Sequence, residues 1–132
     1  MIAARALGLI VGVSLAFSPA LAGEPALKPG KYDGLHGTLT IQQQKDRTLS
    51  FELTVVSSVG DICGLEGRIE HLRARLSLDA EGSGEKNVCV VDFKPSADGI
   101  EIATNDLDCQ QFCGAGASYE IVEGLYTPDA AR

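Results

Sequence analysis

Leu49-Ser50-Phe51-Glu52-Leu53-Thr54-Val55 alternates between apolar and polar side chains without a break, and this period of two constrains the chain more than any other feature. Successive residues of a strand point to opposite faces, so Leu49, Phe51, Leu53 and Val55 share one face that must be buried. The alternation recurs in Gly37-Thr38-Leu39-Thr40-Ile41 and again after Gly60-Asp61, where Cys63, Leu65, Gly67 and Ile69 oppose Glu66, Arg68 and Glu70. Leu76 and Leu78 mark a fourth strand. The leucine, alanine, arginine and glutamate between Glu66 and Leu78 also suit a helix, but Gly64 and Gly67 favour the strand. Val88 to Phe93 is rich in β-branched residues, as in a central strand, and Pro95-Ser96-Ala97-Asp98-Gly99 turns it into Ile100-Glu101-Ile102-Ala103. Asp106 to Gly116 suits a single helical turn ahead of Tyr119 to Val122 and Leu125-Tyr126, which read as strand. About seven short strands, each with one apolar face, bury that face by curling on themselves. The predicted fold is therefore all-β: a small antiparallel barrel or sandwich with one short helical turn near the C-terminus. In a barrel of this size Leu39, Phe51, Leu65, Val91 and Ile102 fill the interior and leave little space for a ligand.

The amino terminus reads as an address. Arg5 precedes the uncharged run Ala6 to Phe17, and Ser18-Pro19-Ala20-Leu21-Ala22 places small side chains at Ala20 and Ala22, as signal peptidase requires. Residues 1–22 are thus predicted to be a signal peptide cleaved after Ala22, with residues 23–132 forming a single β domain. The apolar run is shorter than the roughly 20 residues of a spanning helix. No membrane anchor is expected either, because Gly23 rather than a lipid-accepting cysteine follows the cleavage site. Arg5 makes no twin-arginine pair, so export of the unfolded chain by the general secretory route to the periplasm or beyond is expected. Cleavage removes Arg5, and the net charge moves from −7 to −8. Such a chain is repelled by phosphate backbones and anionic lipid, which argues against nucleic-acid binding and polybasic membrane docking.

In an oxidising compartment the four cysteines, Cys63, Cys89, Cys109 and Cys113, read as two disulfides. Three pairings are open. Cys63 and Cys89 lie in separate strand-like runs, whereas only Gln110-Gln111-Phe112 separates Cys109 from Cys113, so Cys63–Cys89 and Cys109–Cys113 are favoured. The longer loop would contribute about 3 kcal/mol. Zinc would need the same cysteines with His36 and His71, but there is no C-x-x-C pair and the histidines are scattered.

Evidence for catalysis is thin. The only histidines, His36 and His71, lie at a turn and a strand end outside any motif, and Ser57, Ser58, Ser83 and Ser118 lack a G-x-S-x-G elbow. A glycosidase would want a sugar cleft lined with aromatic platforms, and the chain has no tryptophan. Asp79, Glu81, Ser83 and Glu85 alternate in a glycine-containing loop, and Asp106 lies near Asp108, superficially like calcium ligands, but EF-hand spacing is absent and a solvated hairpin tip explains them. No phosphate-binding glycine loop opens a helix. No cofactor, metal or catalytic residue is therefore expected. Function falls to the rim, where loops are held by sheet and disulfides.

Gly30-Lys31-Tyr32-Asp33-Gly34, Cys63-Gly64-Leu65-Glu66-Gly67, Cys89-Val90-Val91-Asp92-Phe93 and the closing stretch from Cys109 to Tyr119 resemble small exported proteobacterial disulfide-containing β-domain proteins of uncharacterised function. The resemblance spans nearly the whole of residues 23–132. Related domains in that group sometimes precede a segment similar to the mycobacterial-type lysozyme inhibitors, which implies a periplasmic binding or inhibitory role. The cysteine-rich C-terminal segment of those inhibitors is missing, and Ser83-Gly84 lacks the aromatic pattern of the membrane-associated c-type lysozyme inhibitors, so no inhibitory residue carries over. The expectation is an exported binding protein for a cationic partner such as a lysozyme, steered by the net negative charge. The alternatives are a small periplasmic hydrolase using His36 or His71 with a nearby carboxylate, and a carrier of a small apolar ligand.

Overall fold

The computed structural model describes residues 12, 26–77, 88–104 and 107–129. Apart from Gly12, the expected signal segment lies outside the described residues. Eight antiparallel strands follow one another around a nearly closed barrel: β1 (Gly30–Asp33), β2 (Gly37–Gln43), β3 (Leu49–Val56), β4 (Ile62–Ile69), β5 (Arg73–Leu76), β6 (Cys89–Ser96), β7 (Gly99–Thr104) and β8 (Gly124–Pro128). The first and last strands meet where β1 pairs with β8, Tyr32 opposite Pro128 and Asp33 opposite Thr127. The strand not foreseen is β1, which Pro29-Gly30 disguised as a turn; its Tyr32 is buried and donates to the Lys28 carbonyl at 2.5 Å.

Alternation governs the wall. Phe51, Leu53 and Val55 of β3 point inward, as do Cys63, Leu65 and Ile69 of β4, and the five side chains expected to fill the barrel are all buried: Leu39, Phe51, Leu65, Val91 and Ile102. Phe51 and Phe93 meet edge to face with centroids 4.9 Å apart, a geometry that adds about 1 kcal/mol to simple burial. Leu27 fills one end of the core, and the segment after β7 covers the other.

That segment contains a 3₁₀ turn at Leu107–Phe112, where a helical turn was expected, and a second at Tyr119–Val122, where strand was expected. The second forms because Ser118 caps it through the Glu120 amide, and because Val122 must bury inward, leaving its carbonyl to accept the Tyr126 hydroxyl at 2.7 Å.

One seam of the barrel lacks a ladder. β4 and β5 are the two edges of the sheet, joined by the turn His71-Leu72, and only Glu70 and Arg73 exchange backbone hydrogen bonds across them, at 2.8 and 3.0 Å. Both turn residues are left-handed, with φ of 52° and 63°, as a two-residue hairpin of matching twist requires. Side chains close what hydrogen bonds do not: Leu76 lies over Gly67 so closely that a Cβ there would stand 2.5 Å from Leu76 Cδ2.

The disulfides correct the favoured pairing. Cys63 joins Cys113 and Cys89 joins Cys109, with Cα–Cα separations of 3.9 and 4.6 Å. Cys63 and Cys89 cannot bond to each other because β5 stands between their strands, and two inter-strand steps of about 4.8 Å exceed a disulfide's reach. Cys109 lies within the 3₁₀ turn beside β6, whereas Cys113 lies just past it and bridges Cys63 on β4, so each meets a strand cysteine rather than the other. The cap is therefore bonded to β4 on one side of the seam and to β6 on the other.

Non-reducing peptide mapping should return the 63–113 and 89–109 links. The loop lengths predict losses of about 4 kcal/mol for C63A/C113A and about 3 kcal/mol for C89A/C109A in urea unfolding. Because His71 is exposed on left-handed backbone, His71→Gly should stabilise the fold by about 1 kcal/mol, measured the same way.

Candidate functional site

The strand registers place the β1–β2 turn, the β3–β4 turn and the segment from Leu107 to Glu123 at one end of the barrel, the capped end. The β2–β3, β4–β5 and β6–β7 turns lie at the other. This sorting sets the two ends apart in charge. Among the described residues the turns and cap of the capped end carry Asp61, Asp108, Glu120 and Glu123, with Asp33 at the end of β1, and no lysine or arginine; Lys31 and Arg75 lie on the walls of β1 and β5. The opposite end is mixed, with Lys28, Lys45, Arg47 and Lys94 beside Asp46, Glu70 and Asp98.

The cap is pinned from inside. The Gln110 side chain donates to the Ala117 carbonyl at 2.7 Å and accepts from the Tyr119 amide at 3.0 Å, tying the two 3₁₀ turns together. Asp61 holds the outside: its carboxylate accepts the Gly116 amide, while Gly114 donates to the Ile62 carbonyl at 2.9 Å. Gly116 must lack a Cβ because Asp61 and Val59 occupy that space. Asp61 thus serves the architecture, whereas Asp33 and Glu120 are exposed. Glu123 accepts the Thr104 hydroxyl at 2.8 Å.

Exposed aliphatic residues gather at the same end. Leu35 stands 92% exposed at the tip of the β1–β2 turn, with Val56, Val59 and Ile62 exposed on the neighbouring hairpin. Val56 pairs with Ile62, and its amide donates to the His36 carbonyl at 2.9 Å, so the two turns are in contact. The sequence held a signal for this ridge: Gly34 and Gly37 bracket Leu35-His36, and Ile62 breaks the alternation beside Cys63.

His36 and His71 lie at opposite ends of the barrel and form no common site. His71 borders an open groove of about 960 Å³ along the seam, with Glu70, Asp92, Arg75 and Lys94. There Arg73 Nε engages Asp92 at 2.7 Å, and no serine, threonine or cysteine is among the described lining residues. The interior itself is packed with side chains. Asp79, Glu81, Ser83, Glu85 and Asp106 lie outside the described residues; Asp108 lies in the first 3₁₀ turn. Among the described residues no three His, Cys, Asp or Glu side chains converge as a metal site.

Comparison of the chain with protein-family models, curated proteins and solved structures finds no match.

Beneath the rim, burial pushes the Tyr126 phenol up to about 12. A folded pKa above the unfolded value of about 10 means that this stabilisation is complete below pH 10 and is lost as pH rises through 12. Near-ultraviolet titration should therefore show one tyrosinate forming at about pH 12, absent in Tyr126→Phe. Asp61→Ala should lower stability by about 1 kcal/mol and speed amide exchange at Gly116, because that exposed N–H exchanges a carboxylate for water.

Proposed function

We propose that this protein is an exported, non-enzymatic binding domain of an oxidising compartment such as the periplasm, and that its capped rim captures a cationic protein such as a lysozyme. The observation that carries this reading is the composition of the rim: acids and exposed aliphatic side chains without a lysine or arginine among the described residues, at the end both disulfides hold rigid. A surface of one sign steers an oppositely charged partner during diffusion and disfavours like-charged ones. Rigid loops lose little conformational entropy on docking. Two disulfides suit export, because reducing compartments do not maintain them.

The packed interior leaves reactive groups no enclosed chamber, and the histidine nearest a groove shares it with a carboxylate already engaged by arginine. These features favour binding over hydrolysis or carriage of an apolar ligand inside the barrel.

Surface plasmon resonance with a cationic lysozyme should show an association rate falling about tenfold or more from low to high salt. Glu120→Gln with Glu123→Gln should lower that rate several-fold while Lys94→Gln does not. Lysozyme activity should fall in proportion to occupancy. Absence of binding at low salt would sink this partner class.

A further inference from the structure

We propose that Leu35 is the anchor of the rim, entering an apolar cleft on the partner whose edges carry lysine or arginine. Six large hydrophobic side chains are exposed among the described residues, and four of them, Leu35, Val56, Val59 and Ile62, gather on two touching turns. Isolated exposed leucines are ordinary on a protein surface, but a contiguous apolar ridge bordered by charge marks a contact surface. Leu35 stands at its summit, 92% exposed, with the exposed carboxylate of Asp33 beside it.

The tip is built to hold the backbone beneath that side chain. Gly34 donates to the Gly37 carbonyl at 2.8 Å and closes the turn. Gly34 lies against the ring of Tyr126, where a Cβ would stand 2.5 Å from Cε1, and Gly37 lies against the backbone of Thr54. Tyr126 is in turn fixed to Val122 of the cap. Neither glycine has a positive φ, so what both positions require is close packing rather than unusual backbone. A turn held on such a support loses little backbone freedom on docking, so the main ordering cost is that of the leucine side chain itself.

Charge complementarity selects the occupant. With exposed Asp33 two residues before Leu35, exposed Glu120 and Glu123 on the cap of the same end, and no lysine or arginine among the described residues of its turns and cap, the cleft that receives Leu35 is apolar within and basic at its edges. This inference rests on the binding reading above and adds to it the residue that sets the lifetime of the complex.

The test uses a cationic lysozyme as the probe and compares the wild-type protein with Leu35→Ala and Leu125→Ala, the latter removing an exposed leucine outside the ridge. Leu35 lies outside the core, so circular dichroism and Tm should be unchanged in Leu35→Ala. The expected result is a Kd about 30-fold weaker for Leu35→Ala, through faster dissociation, and a change of less than about threefold for Leu125→Ala. If lysozyme binds the wild-type protein and Leu35→Ala equally, the anchor is refuted while the charged-rim reading stands. If both leucine variants weaken binding alike, the anchor is refuted in favour of general surface stickiness. If the wild-type protein does not bind at low salt, both readings fall.

Discussion

The barrel depends on a closure that its hydrogen bonds do not complete. A sheet curled into a cylinder must pair its first and last edges or protect them, since an unpaired edge leaves amides and carbonyls unmatched. Here β1 and β8 pair, while β4 and β5 touch through one tight turn and the packing of Leu76 over Gly67. Both disulfides run from the cap to the strands on either side of this weak place, β4 through Cys63 and β6 through Cys89. With Cys109 and Cys113 four residues apart on the cap, the two bonds span β5 like a clasp. The same covalent bonds that hold the seam shut also fix the loops of the capped rim.

This coupling explains why the rim can expose so many aliphatic side chains. Turns carrying Leu35 and Val59 would gain by folding these side chains inward if their backbones were free. Gly34 against Tyr126, Gly37 against Thr54, and Gly116 against Asp61 deny that freedom by placing backbone where a side chain would need room. The outward exposure of the ridge therefore follows from the packing beneath it. The two ends differ in charge too: the turns at one end mix Lys45 and Arg47 with Asp46 and Asp98, while the turns and cap at the other carry Asp61, Glu120 and Glu123 without a lysine or arginine among the described residues.

Much of this was legible in the chain. The alternation of Leu49 to Val55 and of Cys63 to Ile69 identified both strands and their inward faces, because side-chain direction in a strand depends only on parity. Gly64 and Gly67 resolved the stretch after Glu66 as strand rather than helix. Tyr119 to Val122 was misread because its apolar content fits a strand equally well, and only the demand that Val122 face the barrel and its carbonyl meet Tyr126 turns it into 3₁₀.

By itself, then, the sequence determined the class of fold, the content of the core and the presence of two cross-links, all properties of local period and residue type. The tertiary structure alone decided which cysteines join, since bonding depends on Cα distance and β5 intervenes between Cys63 and Cys89. It alone also decided that His36 and His71 stand at opposite ends, and that scattered acids and aliphatics share one rim. Those outcomes depend on how strands order around the barrel, and strand order arises from contacts between residues far apart in the chain.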